Sequence, residues 1–121
     1  HLVTLDMNGG RLDRLERELE KMVARYDLTG IFVTNSRVHL VAHYLARKGM
    51  MNMRLVGYDL VRESIDMLER EYIDFLISQS PVEQSYRGLK TLFNAVVMKQ
   101  EVAHVQHMPI DILTKENIAY Y

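Results

Sequence analysis

A chain of 121 residues, 48% hydrophobic and 26% charged, has the length and balance of one globular domain, which excludes a second core and a disordered tract. Its 15 basic and 16 acidic residues leave a formal net charge of −1, so no electrostatic excess draws the whole chain to a phosphate backbone. The absence of cysteine excludes a disulfide framework and thiol chemistry, and no apolar run reaches membrane-spanning length.

In chain order, the periodicity alternates between strands and helices, the pattern of a parallel sheet covered by helices. Five short segments rich in Val, Ile, Leu or Phe are predicted strands: Leu2 to Asp6, Gly30 to Thr34, Arg54 to Tyr58, Ile73 to Ser78 and Pro109 to Leu113. A first helix follows Asn8-Gly9-Gly10, with Leu12, Leu15, Leu19, Met22, Val23 and Tyr26 on one stripe and Arg and Glu opposite. A second runs from about Ser36, an N-cap residue, to Gly49, a helix stop, with Val38, Val41, Ala42 and Leu45 inward. The third spans about Val61 to Arg70. The fourth opens on Ser80-Pro81-Val82-Glu83, which combines an N-cap serine, proline at the first helical position and a capping-box glutamate, and should reach about Met98. Gln100 to His107 is then a loop returning to the last strand. The expected architecture is an α/β three-layer sandwich with a mostly parallel five-stranded sheet.

The functional signal stands just after the strands, because sheets of this kind bind ligands beyond the carboxyl ends of their strands. Asn35 follows Gly-Ile-Phe-Val-Thr, Asp59 follows Leu-Val-Gly-Tyr, and Gln79 follows Phe-Leu-Ile-Ser, while Asp6 and Asn8 end the first segment. Amides that both donate and accept, beside a carboxylate that accepts twice, suit the hydroxyls of a sugar better than an apolar ligand. Each residue alone reads first as a helix cap or turn residue, and it is the coincidence of three on one rim that points to a ligand.

The segments Gly30-Ile31-Phe32-Val33-Thr34-Asn35, Leu55-Val56-Gly57-Tyr58-Asp59, Ile73 to Gln79 and Pro109 to Asn117 together resemble type I periplasmic-binding-protein-like domains, in particular regulators of the lac repressor type. The resemblance implies a Rossmann-like C-terminal lobe of an effector-binding domain, a single partial domain whose other lobe and DNA-binding domain lie elsewhere. It also implies that Asn35, Asp59 and Gln79 hydrogen-bond the sugar. Ser36, followed by Arg37, departs from the aspartate usual in that family after the asparagine. The function implied by the resemblance is that of a non-enzymatic sensor of a sugar or sugar derivative, cytoplasmic and without a cofactor. DNA would be contacted only through a separate N-terminal domain, with no membrane contact. An exported sugar-binding receptor for transport or chemotaxis is the alternative. In the family the fourth helix packs largely on the other lobe, so Val82, Tyr86, Leu89, Phe93 and Val97 should form an exposed stripe here. A homodimer or larger homo-oligomer with that helix at its interface is expected. The same family places a strand between Leu2 to Asp6 and Gly30 to Thr34, so either the first strand shifts inward or another chain fills the gap.

A phosphorylation receiver domain shares the length and the alternating order, and Asp6, Asp59 and Lys115 imitate its acidic residues and lysine. A receiver needs a neighbouring acidic pair to hold magnesium, whereas Leu5 and Met7 flank Asp6, and Glu116 follows the lysine in place of proline. His39 and His43 lie one helical turn apart, but Leu40 stands where a zinc-protease helix carries glutamate. Asn8-Gly9-Gly10-Arg11 is too short to cradle a phosphate. The eight methionines are expected to fill gaps, and Tyr58 and Tyr86 to pack.

Overall fold

The computed structural model describes residues 2–6 and 12–121, in which three helices pack on a four-stranded sheet and a fourth helix stands away from the core. The elements are α1 (Leu12–Arg25), β1 (Gly30–Val33), α2 (Val38–Lys48), β2 (Arg54–Tyr58), α3 (Arg62–Glu69), β3 (Phe75–Ser78), α4 (Pro81–Val96) and β4 (Asp111–Leu113), followed by a 3-10 turn at Ile118–Tyr120. The sheet order is β1-β2-β3-β4; β1, β2 and β3 are parallel, and β4 is antiparallel to β3. This is the α/β architecture expected from the sequence, with four strands among the described residues in place of five.

The missing strand is Leu2 to Asp6, whose backbone joins no ladder. Leu2 is 95% exposed, and only Leu5 packs against the core. Alternating apolar residues specify an extended segment with one inward face, but pairing depends on a neighbouring edge within reach, which local sequence does not encode. β4 begins two residues later than predicted, in keeping with Pro109, which has no N–H to give to a ladder. It runs antiparallel because α4 leads away from the carboxyl end of β3 and residues 97–110 lead back to that same end.

The core lies on one face of the sheet. Leu19 of α1, Val38, Val41, Ala42, Tyr44 and Leu45 of α2, and Met67 and Leu68 of α3 are buried against Leu55 and Leu76. Of the expected stripe positions, Leu15 and Leu19 of α1 and Val38, Val41, Ala42 and Leu45 of α2 join this core. Ion pairs from Glu16 to Arg47 and from Glu20 to Lys48 (2.7 Å) tie α1 to α2 at the surface. The Lys48 ammonium holds the Glu20 carboxyl below its ordinary range, chiefly through that hydrogen bond. Asp74 fastens β2 to the start of β3 twice over, accepting from the Leu55 amide (2.7 Å) and from Arg54 (2.8 Å).

Two expected helix caps take other roles. α2 starts at Val38 rather than Ser36, because the Asn35 Oδ1 accepts the Arg37 N–H (2.9 Å) and holds residues 35–37 in a turn. Ser80 precedes α4 with a φ of 47° and no capping hydrogen bond; its hydroxyl is committed to Asp111 and Tyr121. Gly49 does end α2 in the left-handed conformation, and its amide donates to Ala46. α4 stops at Val96, just short of Met98.

Candidate functional site

The pairing of Val33 with Gly57 and of Tyr58 with Ile77 fixes how the three parallel strands end. Asn35, Asp59 and Gln79 each stand one or two residues beyond one of those paired positions, so they leave neighbouring strands along one rim. With strands about 4.8 Å apart, the row is about 10 Å across. Asn35 and Gln79 are exposed and Asp59 is half-buried. Among the described residues the Asn35 amide nitrogen, the Asp59 carboxylate and the Gln79 side-chain amide carry no hydrogen bond, which leaves their polar groups available to a ligand.

The backbone at Asp59 has a φ of 68°, and its N–H donates to the Ile77 carbonyl (3.0 Å). Aspartate tolerates this left-handed conformation better than most side chains. The turn at 35–37 leads into α2, and Asp59 is followed closely by α3. Neither helix has a side chain capping its first turn, so both present amide donors and positive dipole ends near the rim. Ser36 is half-buried within the first of these turns.

Asp6 is exposed at the end of the unpaired segment, so strand register does not bring it to the row. Asn8 lies outside the described residues. Three of the six candidate residues are thus set side by side by the sheet, and Ser36 adjoins Asn35 in sequence. Tyr58, half-buried, meets Phe32 with ring centroids 5.6 Å apart; Phe32 is itself exposed and neither ring belongs to the core. Tyr86 is instead exposed on α4, with Lys90 Nζ 5.7 Å from its ring centre.

A polar knot beside the rim has no signal in the sequence. Tyr121 Oη lies 2.9 Å from both Ser78 Oγ and Ser80 Oγ and donates to Asp111 Oδ2 (3.0 Å), while Ser80 Oγ donates to the same carboxylate oxygen (3.1 Å). The four residues join the end of β3, the entry to α4, the start of β4 and the last residue of the chain. Two hydroxyls separated by more than forty positions leave no periodicity or spacing to detect, although strand ends rich in serine hint at local turns.

Lys115 pairs with Glu71 (3.0 Å) rather than with Asp59. His39 is half-buried with its Nδ1 unpartnered, His43 is exposed, and no cluster of three or more metal-binding side chains occurs among the described residues.

No protein-family model matches the chain, and no curated protein matches its sequence. Solved structures do. A candidate LacI transcriptional regulator from Bacteroides fragilis aligns with a TM-score of 0.78 and 34% identity, covering 96% of this chain and 39% of that one. GanP, a glucose-galactose binding protein from Geobacillus stearothermophilus, aligns with a TM-score of 0.77 and 19% identity over 88% of this chain and 38% of its own. A transporter solute-binding protein from Agrobacterium vitis, bound with alpha-D-tagatopyranose, aligns at 0.83 and 23% identity over 96% and 40%. The chain therefore spans about two fifths of the structures it matches. Those neighbours include both a regulator and transport receptors, and the fold this chain shares with them is that of a type I periplasmic-binding-protein-like lobe.

Proposed function

We propose that the chain is the effector-sensing lobe of a bacterial transcription regulator of the lac repressor type, and that its effector is a carbohydrate. The observation that carries the sugar reading is the row formed by Asn35, Asp59 and Gln79 at the carboxyl ends of β1, β2 and β3. Directed donors and acceptors in a row, beside uncapped helix N-termini, match a polyhydroxylated ligand, with the carboxylate accepting from two hydroxyls. The regulator reading is supported by 34% identity to the Bacteroides fragilis protein, against 19% and 23% for the two binding proteins. In the whole protein, located in the cytoplasm, sugar binding at this rim and across a second lobe biases which conformation a separate DNA-binding domain adopts.

A periplasmic sugar receptor for transport or chemotaxis is the second reading, supported by the glucose-galactose and tagatose binding proteins among the neighbours. The deciding experiment uses the complete gene product. Calorimetry with a panel of monosaccharides identifies the effector, and an operator-binding assay with and without it tests coupling. A sugar that binds and shifts DNA affinity supports the regulator. A sugar that binds a protein with no DNA affinity supports the receptor, and no sugar binding at all rejects both.

A further inference from the structure

The rim and the core leave the attachment of α4 unexplained. No residue of this helix is buried, and its stripe of Val82, Tyr86, Leu89, Phe93 and Val97 is exposed, as expected for the face that the family resemblance assigns to the other lobe. With no buried contact, the angle of α4 to the sheet is set at its ends, and Ser80 forms the first of them. The sequence from Ser80 to Glu83 is a complete capping box: the serine hydroxyl should accept the Glu83 N–H while the Glu83 carboxylate accepts the Ser80 N–H. Neither bond is made. Ser80 Oγ donates to Asp111 Oδ2 (3.1 Å) and lies 2.9 Å from Tyr121 Oη, and its N–H donates to Ser78 Oγ (3.2 Å). Glu83 Oε1 accepts instead from Arg87 (2.6 Å). The Ser80 backbone stands at φ 47° and ψ 60°, a left-handed conformation that serine rarely adopts, where an N-cap residue is extended.

We propose that Ser80 is a two-position switch between this clasp and the helix cap. In the clasped position its hydroxyl and N–H are committed to Asp111, Tyr121 and Ser78; in the capped position both are exchanged for the amide and carboxylate of Glu83. A single hydroxyl occupies one place at a time, so the two are alternatives. The clasp is weaker than its distances suggest. The hydroxyls of Ser78, Ser80 and Tyr121 have three protons to share among four contacts of 2.9–3.1 Å, and the Asp111 carboxylate supplies none. The cap, in turn, relieves the positive φ and satisfies an amide that the first turn of α4 leaves without a side-chain acceptor. Passing from one position to the other turns φ of Ser80 by more than about 100°, and that bond lies between Gln79 of the row and the whole of α4. Gln79 and α4 thereby change their mutual orientation, while residues 97–110, which have no regular structure, take up the difference. The consequence for an effector rests on the sugar reading of the row; the switch itself does not, and its test uses no ligand.

Hydrogen exchange at the Glu83 amide, followed by NMR in the 121-residue chain, tests this, because only the capped position protects that amide. Removing Tyr121 or Asp111 alone leaves the other to hold the Ser80 hydroxyl, so the releasing variant is Asp111→Ala with Tyr121→Phe. It should slow exchange at Glu83 at least tenfold while the β4 amides exchange faster, whereas a knot with only a structural role would speed both. Adding Ser80→Ala to that pair should abolish the slowing. Ser80→Asp reaches the capped position by a second route with Asp111 and Tyr121 in place, since aspartate is a strong N-cap and the Asp111 carboxylate repels it. It should slow Glu83 in the same way, and it decides the matter if the double variant does not fold. Unchanged or faster exchange at Glu83 in either folded variant overturns the proposal. So does slowing that survives Ser80→Ala, or a wild type whose Glu83 amide is already as slow as in the variants.

Discussion

Gly57 lies directly against Val38: a Cβ on this glycine would fall 2.4 Å from the valine Cβ. The contact sets how closely α2 approaches β2, and so where the uncapped start of α2 sits beside the rim. Gly57→Ala should cost about 1–3 kcal/mol, because Val38 is fully buried and cannot swing aside. Urea unfolding reads the loss. Val38→Ala in the same chain should recover part of it, so that the double variant is less destabilised than the sum of the single ones.

Asp59 joins a carboxylate on the strand rim to a backbone in the left-handed region. In the full-length protein, Asp59→Ala should weaken sugar binding by roughly 2 kcal/mol or more, the scale of hydrogen bonds to a charged group. Alanine also strains a positive φ, so Asp59→Gly is the cleaner variant: it should keep or raise the melting temperature while losing the same affinity. Calorimetry on the folded glycine variant that finds unchanged affinity would remove Asp59 from the site.

The 121 residues alone should bind no monosaccharide tightly, because the proposed sensor closes its polar row against a second lobe that these residues do not supply. Titration calorimetry with the effector of the complete protein checks this. Micromolar binding by the isolated chain would mean that the row is a whole site rather than half of one.

Tyr121→Phe removes one hydroxyl that touches Ser78, Ser80 and Asp111 together. Ser78 is buried and keeps only the Ser80 amide as a partner (3.2 Å), so a loss of about 1–2 kcal/mol is expected. Hydrogen exchange should quicken first in β4 and at the start of α4, and much less in β1 and β2.

The Glu20 carboxyl is held below its ordinary range in the folded chain, so the stability it lends is present above the unfolded value and is lost as pH falls through the folded one. Acidification through that window should therefore lower the urea midpoint more in the wild type than in Lys48→Met, where the hydrogen-bonding partner is gone. Equal losses in the two chains would show that the α1–α2 pair contributes nothing.

Elements whose burial follows their own period were legible in the sequence. Val38, Val41, Ala42 and Leu45 define α2 and its inward face, Gly49 ends it, and the strands around Leu55 and Leu76 are apolar enough to be recognised alone. The row of Asn35, Asp59 and Gln79 was legible for a related reason: once three parallel strands are known, their ends are known too. Leu2 to Asp6 misled because an alternating pattern specifies exposure, not partnership. Ser36 and Ser80 misled because capping is decided by competing acceptors; Asn35 takes the first turn, and Asp111 with Tyr121 takes the Ser80 hydroxyl. The Ser80 competitors come from distant positions that no local window contains.

The antiparallel pairing of β4 with β3 places Ser78 opposite Asp111, so everything between them departs from and returns to a single rung of the sheet. In design terms, α4 and the segment after it are a removable cassette. Joining the two feet by a turn of about two to five residues would leave an ordinary hairpin and an intact α1–α3 core. Grafting another helix between the same feet would leave the row of Asn35 and Asp59 untouched.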